Sequence, residues 1–253
     1  MWADRFSVAG KVVFLTGAAG GIGLALVKAF LEGGARVFAV TRRQGSDWQG
    51  LDTRFGDALL PVFCHLESEN EVLNAIKKAE SQYPIDVLLN NASETPREPV
   101  NFYDIEVFRK TFAVNFEAAY LLCGYLAPRM AERGNGSIIN ITSINAERAF
   151  PGNPSYVVSK GALRMLTKAL ARDFGERGVR ANNVSPGYVH TRMTAASFAD
   201  RVKNEERRSH TMLGRWAAPE DIVGSCLFLA SEASAYITGT DLVVDGGWLA
   251  KGL

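Results

Sequence analysis

The chain is poor in most of what would mark it as anything but an ordinary globular protein. It has three cysteines in 253 residues, Cys64, Cys123 and Cys226, far apart and each within an apolar stretch. An odd count at that spacing argues against a secreted disulfide framework and offers no metal-ligand pair, so buried structural thiols are expected. No apolar run approaches the ~20 residues of a membrane span. Charge of one sign is absent too: 28 Lys and Arg face 27 Asp and Glu, for a net charge of +1. That balance gives no electrostatic reason to expect nucleic acid or an acidic membrane as a partner. With 47% hydrophobic and 22% charged residues and only 9 prolines, disordered, collagenous and coiled-coil chains are excluded. Met1-Trp2-Ala3-Asp4-Arg5 lacks the basic start and apolar core of a signal peptide, and a cytoplasmic protein is expected.

What is present is alternation. Val12-Val13-Phe14-Leu15, Arg36 to Val40, Leu60 to Cys64, Val87-Leu88-Leu89, Ser137 to Thr142, Arg180 to Val184 and Asp241 to Val244 read as short strands. Continuous apolar runs of that kind suit strands buried on both faces. Between them, apolar residues recur at helical spacing: Ile22, Leu26, Ala29 and Phe30 before Gly33-Gly34, then Val72, Ala75, Ile76 and Ala79 behind a Ser68 cap. Longer helical patterns run from about Ile105 to Met130 and from Ser155 to Phe174, with another from Glu220 to Ala230. Strands joined by crossover helices make a parallel sheet covered on both faces. No repeat, low-complexity tract or linker interrupts the pattern. One α/β domain over residues 1–253 is therefore expected, a doubly wound parallel sheet (Rossmann fold) in three layers. The polar, weakly periodic segment Thr191 to Leu213 fits least well and reads as a substrate lid.

Thr16-Gly17-Ala18-Ala19-Gly20-Gly21-Ile22-Gly23 joins the first strand to the first helix. Glycine belongs there for a tight turn, for close approach of backbone to a pyrophosphate, and for packing of helix on strand. The helix start then offers free N–H groups and a positive dipole to phosphate. Gly17, Ala19, Gly21, Ile22 and Gly23 are the candidate phosphate-side contacts. It is not a P-loop, because no Gly-Lys-Ser/Thr follows. About 20 residues on, where a carboxylate would bond the ribose 2′-hydroxyl of NAD, the second strand ends in Thr41-Arg42-Arg43. Guanidinium forks suit a 2′-phosphate. NADP is favoured over NAD, with NAD still possible.

Tyr156 and Lys160 sit one helical turn apart in Ser155-Tyr156-Val157-Val158-Ser159-Lys160. An ammonium beside a phenol favours the phenolate and is expected to lower a pKa that starts near ~10. Ser143 and Asn90-Asn91-Ala92-Ser93 follow strands at the carboxyl edge where open α/β sheets place their sites. Asn115, in mid-helix among Phe112, Ala113, Val114 and Phe116, either caps something or serves a site.

Together these residues resemble the short-chain dehydrogenase/reductase family over essentially the full length. The matching elements are Thr16-Gly17-x-x-x-Gly21-Ile22-Gly23, Asn90-Asn91-Ala92, Asn115, Ser143, Tyr156-x-x-x-Lys160 and Pro186-Gly187-x-x-x-Thr191. The resemblance implies a ketone–alcohol oxidoreductase in which Tyr156 is the general acid or base. Lys160 would hold the nicotinamide ribose, Ser143 the reacting oxygen, and Asn115 a proton-relaying water. Pro186, Gly187, Val189 and Thr191 would surround the carboxamide, and Asn91, Ala92 and Ser93 would line the cofactor. His65 and Leu66 stand where the family places an acidic residue and an apolar one at the adenine, so the carboxylate is missing; Ser93 replaces a usual glycine. Substrate contacts are expected from Ser143, Asn145, Asn153, Tyr156 and Tyr188, with no metal. His190 and His210 lack ligand spacing, and no Gly-x-Ser-x-Gly points to a hydrolase. The ending Val243 to Lys251 resembles relatives acting on sugar acids; 3-oxoacyl-carrier-protein reductases share the general pattern. A non-catalytic nicotinamide-nucleotide-binding protein is the alternative of another class. The family also implies a homotetramer.

Overall fold

The computed structural model describes residues 1–42, 48, 50–96 and 104–251. Strands β1 (Val12–Thr16), β2 (Arg36–Thr41), β3 (Leu59–Phe63), β4 (Val87–Asn90), β5 (Gly136–Ile141), β6 (Val179–Pro186) and β7 (Asp241–Val244) form a seven-stranded sheet in the order β3-β2-β1-β4-β5-β6-β7. Every pairing is parallel, so each strand needs a crossover, and helices cover both faces. Between the strands and after them lie α1 (Gly21–Glu32), α2 (Leu51–Phe55), α3 (Glu69–Gln82), α4 (Ile105–Phe112), α5 (Ala118–Glu132), α6 (Pro154–Phe174), α7 (Ala195–Ala199), α8 (Arg201–Ser209), α9 (Glu220–Ala230) and α10 (Trp248–Lys251).

The apolar strand runs resolve into two interleaved sets. Val13, Leu15, Val37, Ala39, Val87, Leu89, Ile139 and Ile141 pack in the core that contains Leu26 and Phe30 of α1 and Ile222, Cys226 and Leu229 of α9. Their alternates Val12, Phe14, Phe38, Val40, Leu88 and Ile138 pack with Val72 and Ile76 of α3 and Leu122, Leu126 and Met130 of α5. A period of two on a sheet covered on both sides leaves no polar face, which is why the strands read as unbroken apolar runs. All three cysteines are buried in these layers, and burial pushes each thiol up to about 12.

The long helix expected from Ile105 to Met130 is two helices with a π-turn over Ala113–Glu117 between them. Residues 191–213, which read as a lid in the sequence, carry α7 and α8, the latter capped by Asp200 Oδ1, which accepts from the N–H groups of Val202 and Lys203. The chain reverses its winding between β1 and β4, so the carboxyl edge there is the crevice in which such sheets bind ligands. Among the described residues no helix is long and apolar enough to cross a membrane.

Candidate active site

The glycine turn is built for an anion. Gly17 has a φ of +69°, and a side chain there would meet Ala92 Cα at 2.8 Å. At Gly23 a Cβ would fall 2.0 Å from the Gly17 carbonyl oxygen, so only glycine lets α1 start this close to β1. Helix α1 begins with no capping side chain and no acidic residue in its first turn. Helices α3, α4 and α8, by contrast, are capped by Ser68, Asp104 and Asp200. Ala19 and Gly20 are exposed, and Gly21 and Ile22 are half-buried. The dipole and the first N–H groups of α1 thus face outward without a side-chain cap. Gly23→Ala is expected to cost about 1–3 kcal/mol of stability, since backbone must move to admit the methyl; thermal unfolding checks this, and an unchanged midpoint would contradict it.

The turn is bracketed from β4. Thr16 Oγ1 accepts from the Asn91 and Ala92 N–H groups at 3.0 and 3.1 Å. Asn91 Nδ2 donates back to the Thr16 and Gly17 carbonyls at 3.0 and 3.1 Å. Beyond them the Ser93 hydroxyl is buried with no hydrogen-bond partner. A buried polar atom without a protein partner next to this turn has a donor and an acceptor free for another group. On the other side of the crevice, Thr191 reaches to within 3.1 Å of where a Gly21 side chain would begin. Thr194 Oγ1 fixes that loop by bonding the Thr191 N–H and the Val189 carbonyl. Pro186 ends β6, and Gly187 hydrogen-bonds to the Val244 carbonyl at 3.0 Å.

Thr41 is buried at the end of β2, and Arg42 extends beyond it to Glu94, Nη1 to Oε1 at 2.8 Å; Arg43 lies outside the described residues. His65 is turned to Glu71, to which its backbone N–H donates at 2.8 Å and its Nδ1 lies at 3.1 Å. That hydrogen bonding holds the Glu71 carboxyl below its usual range. Leu66 packs against the β2–β1 core.

Ser143, Tyr156 and Lys160 converge at the carboxyl end of β5. The Ser143 hydroxyl lies close enough to the Tyr156 phenol to act on its titration, and Ser143 Oγ accepts from the Asn145 N–H at 3.1 Å. Lys160 is 1% exposed. Its Nζ donates to the carbonyl of Ile141, the last residue of β5, at 2.8 Å and lies 5.7 Å from the centre of the Tyr156 ring. The protein alone reverses the sign expected for the phenol: burial pushes Tyr156 up, only partly offset by the Ser143 hydrogen bond. Burial pushes Lys160 down, to about 7. Desolvation penalises the charged form of both groups.

Asn115 is 1% exposed within the π-turn. Its Oδ1 accepts from the Glu94 N–H at 2.8 Å, and its Nδ2 donates to the Glu94 carbonyl at 2.9 Å and to Ser159 Oγ at 3.0 Å. It therefore ties the segment after β4 to α6 instead of touching Tyr156. Asn153 donates to Thr95 Oγ1 at 3.5 Å, and its own Oδ1 is buried without a partner. Deeper, a polar chain fastens α6 to the sheet: Asn90 to Asn140, Asn140 to Thr167, Thr167 to Asn183 and Asn183 to Asp241, at 2.6–2.8 Å. Lys168 and Arg164 on α6 both reach Asp241. Glu147 is held by Arg164 at 2.9 Å.

The outer wall is aromatic. The Tyr188 ring lies 5.4 Å from Trp216 and 6.4 Å from Phe150 and Trp248, which are 5.0 Å apart. Two cations rest on it: Arg207 over Tyr188 at 4.8 Å and Trp216 at 5.6 Å, and Arg148 over Trp248 at 5.8 Å. Sequence reading selects Tyr188 from this wall and does not single out Phe150, Arg207, Trp216 and Trp248: Phe150 lies between the expected substrate contacts Asn145 and Asn153, Arg207 inside the segment read as a lid, Trp216 just after it and Trp248 just after the last strand. His190 stacks on Phe198 at 3.7 Å, and His210 Nδ1 lies 2.7 Å from the Glu206 carbonyl. Among the described residues no group of His, Cys, Asp and Glu could hold a metal ion.

A doubly wound parallel sheet with this glycine turn and a Ser–Tyr–Lys cluster defines a nicotinamide-linked alcohol–ketone oxidoreductase, and the chain belongs to the short-chain dehydrogenase/reductase family. A family model described as enoyl-(acyl carrier protein) reductase matches residues 17–249. Gluconate 5-dehydrogenase of Gluconobacter oxydans is 35% identical over 248 residues, 96% of either chain. The 5-keto-D-gluconate 5-reductase of Escherichia coli is 32% identical over 250 residues, 97% of this chain and 98% of that one. A gluconate 5-dehydrogenase from Burkholderia cenocepacia, solved in complex with NADP and tartrate, superposes with a TM-score of 0.93 at 33% identity, covering 99% of both chains.

Proposed function

We propose that the protein interconverts the keto and secondary-alcohol forms of a sugar acid with NADP(H). The observation that carries the chemistry is the convergence of Ser143, Tyr156 and the buried Lys160 at the sheet edge that holds the glycine turn. The turn fits a dinucleotide: its α1 start is without a side-chain cap, its walls admit no side chain at Gly17 or Gly23, and the orphaned Ser93 hydroxyl lies beside it. Gly17, Ala19, Gly21, Ile22 and Gly23 would hold the pyrophosphate. Thr41, Arg42 and Arg43 would take the 2′-phosphate, His65, Leu66, Asn91, Ala92 and Ser93 the adenosine side, and Pro186, Gly187, Val189 and Thr191 the carboxamide. When bound, the cofactor supplies the hydride.

The chain's own residues supply the proton. In reduction the Tyr156 hydroxyl gives its proton to the carbonyl oxygen while Ser143 donates a second hydrogen bond to the same atom. Two donors aimed where charge develops stabilise an alkoxide-like transition state. In oxidation Tyr156 accepts the proton instead. Lys160, besides binding the nicotinamide ribose, is the cation that stabilises the phenolate left behind. Asn115 fixes Glu94 and Ser159 around the site and lines a cavity of about 10 Å³ with Thr16 and Asn90, room for about one water.

The substrate class follows from the wall. Aromatic faces suit the C–H side of a sugar chain, while Arg148 and Arg207 on those rings offer the positive charge a carboxylate requires. Asn145, Asn153 and Tyr188 would meet its hydroxyls, and residues 191–213 would close over it as a lid on the same cytoplasmic protein. The exposed Tyr120, Val158 and Met165 suit burial between protomers of a homotetramer. The names of the relatives support the same substrate class. The test is NADPH oxidation with 5-keto-D-gluconate, a neutral ketose of equal length, and an acetoacetyl thioester. The acid is expected to exceed the ketose in kcat/KM by about tenfold or more, the worth of one charge-assisted hydrogen bond. Parity of acid and ketose, or a preference for the thioester, would overturn the reading.

A further inference from the structure

In the sheet, β2 and β4 flank β1, so the residues that follow them stand on either side of the glycine turn. The ion pair between Arg42, after β2, and Glu94, after β4, therefore lies across the crevice. Its two ends are unequally held. Asn115 grips the Glu94 backbone through both its N–H and its carbonyl, and the Glu94 side chain is 26% exposed against 52% for Arg42. Glu94 is the fixed post and Arg42 the movable arm. Ribose 2′-substituents are read at the end of the second strand. An arm drawn over to the β4 side is turned away from that position.

We propose that Glu94 is a specificity-determining residue: its carboxylate holds Arg42 across the crevice and competes with the 2′-phosphate of NADP for the same guanidinium. Carboxylate and phosphate take the same fork of donors. Binding NADP exchanges one anion for the other on the Arg42 guanidinium. Binding NAD leaves the pair in place. Glu94 thus lowers the preference for NADP that Arg42 creates and keeps both cofactors within reach. The inference rests on the NADP(H) reading given above.

Direct binding tests it on the full-length protein, with NADPH and NADH followed by fluorescence and 2′,5′-ADP and 5′-AMP by calorimetry. Glu94→Gln is expected to tighten NADPH and 2′,5′-ADP by about fivefold, the ceiling for an exposed ion pair. NADH and 5′-AMP should stay within about twofold, the scatter such surface changes allow. In an Arg42→Ala background the same substitution should change nothing, because the guanidinium that Glu94 holds is gone. Glu94→Ala repeats the comparison should the glutamine variant fold poorly. Weaker NADPH binding in Glu94→Gln, no change, an equal gain for NADH, or a gain that survives Arg42→Ala would each overturn the proposal. Failure of the underlying reading looks different: wild-type protein would bind NADH and not NADPH.

Discussion

Replacing Tyr156 by Phe is expected to cut turnover by about 10²–10⁴, the usual contribution of a positioned acid or base, while NADPH binding changes little. The variant removes one oxygen and keeps the ring. Ser143 loses the phenol as a neighbour but keeps the hydrogen bond from the Asn145 N–H. Lys160 keeps its bond to the Ile141 carbonyl, so the cluster does not collapse. The glycine turn is untouched. The raised phenol gives the effect a direction with pH: Tyr156 stays protonated across the neutral range, so ketone reduction has its acid ready at pH 7. Alcohol oxidation should accelerate as pH rises toward the phenol's titration. Steady-state kinetics in both directions, with a separate NADPH titration, checks the result; retention of most activity would remove Tyr156 from the proton-transfer role.

Lys160→Met is expected to lower activity and raise the stability of the protein without cofactor. An opposite charge moves an acid by 1–3 pH units, so losing this one should slow the proton step by roughly 10- to 1,000-fold. Stability runs the other way. The unfolded chain holds the lysine proton up to ~10.4, whereas the folded chain gives it up near 7. Between those values the unfolded state binds more protons, so wild-type stability rises with pH. The penalty is complete below about 7 and fades toward ~10. At 1.36 kcal/mol per unit it reaches roughly 5 kcal/mol, less about 1 kcal/mol for the lost bond to Ile141. Denaturant unfolding of both proteins at pH 6 and pH 10 should show the variant more stable at the lower value and the gap closing at the higher. A variant less stable at both would show that the ammonium is not buried at a cost. Methionine fills the space, so a cavity would not confuse the reading.

The frame and the reacting groups are largely legible before folding. Unbroken apolar runs mark strands with both faces covered, which locates β1, β2, β4 and β5 within a residue or two. Glycines before α1, and Tyr156 one turn before Lys160, declare themselves by spacing. What was illegible depends on partners far apart in the chain. The chain Asn90–Asn140–Thr167–Asn183–Asp241 anchors α6, yet each member alone reads as an ordinary polar residue in a strand or helix. Asn115 declared itself as an anomaly in mid-helix, but the π-turn around it and its grip on Glu94 require the fold. Arg42 was selected for its charge, with no sign that Glu94 holds it. The phenol's shift has the opposite sign because spacing shows a neighbouring charge and not the depth of burial that raises the phenol. The short α2 and α10 were missed because one turn of helix has no period to detect.

The most direct measurement mixes the wild-type protein, saturated with NADPH, with 5-keto-D-gluconate at neutral pH and follows the near-ultraviolet absorbance of the reduced ring while the product is quantified. One NADPH consumed for each secondary alcohol formed, over many turnovers, is the predicted result. NADPH that binds tightly and stays reduced in the presence of this and every other ketone offered would contradict it, and would make the Ser143–Tyr156–Lys160 cluster a relic in a nucleotide-binding protein.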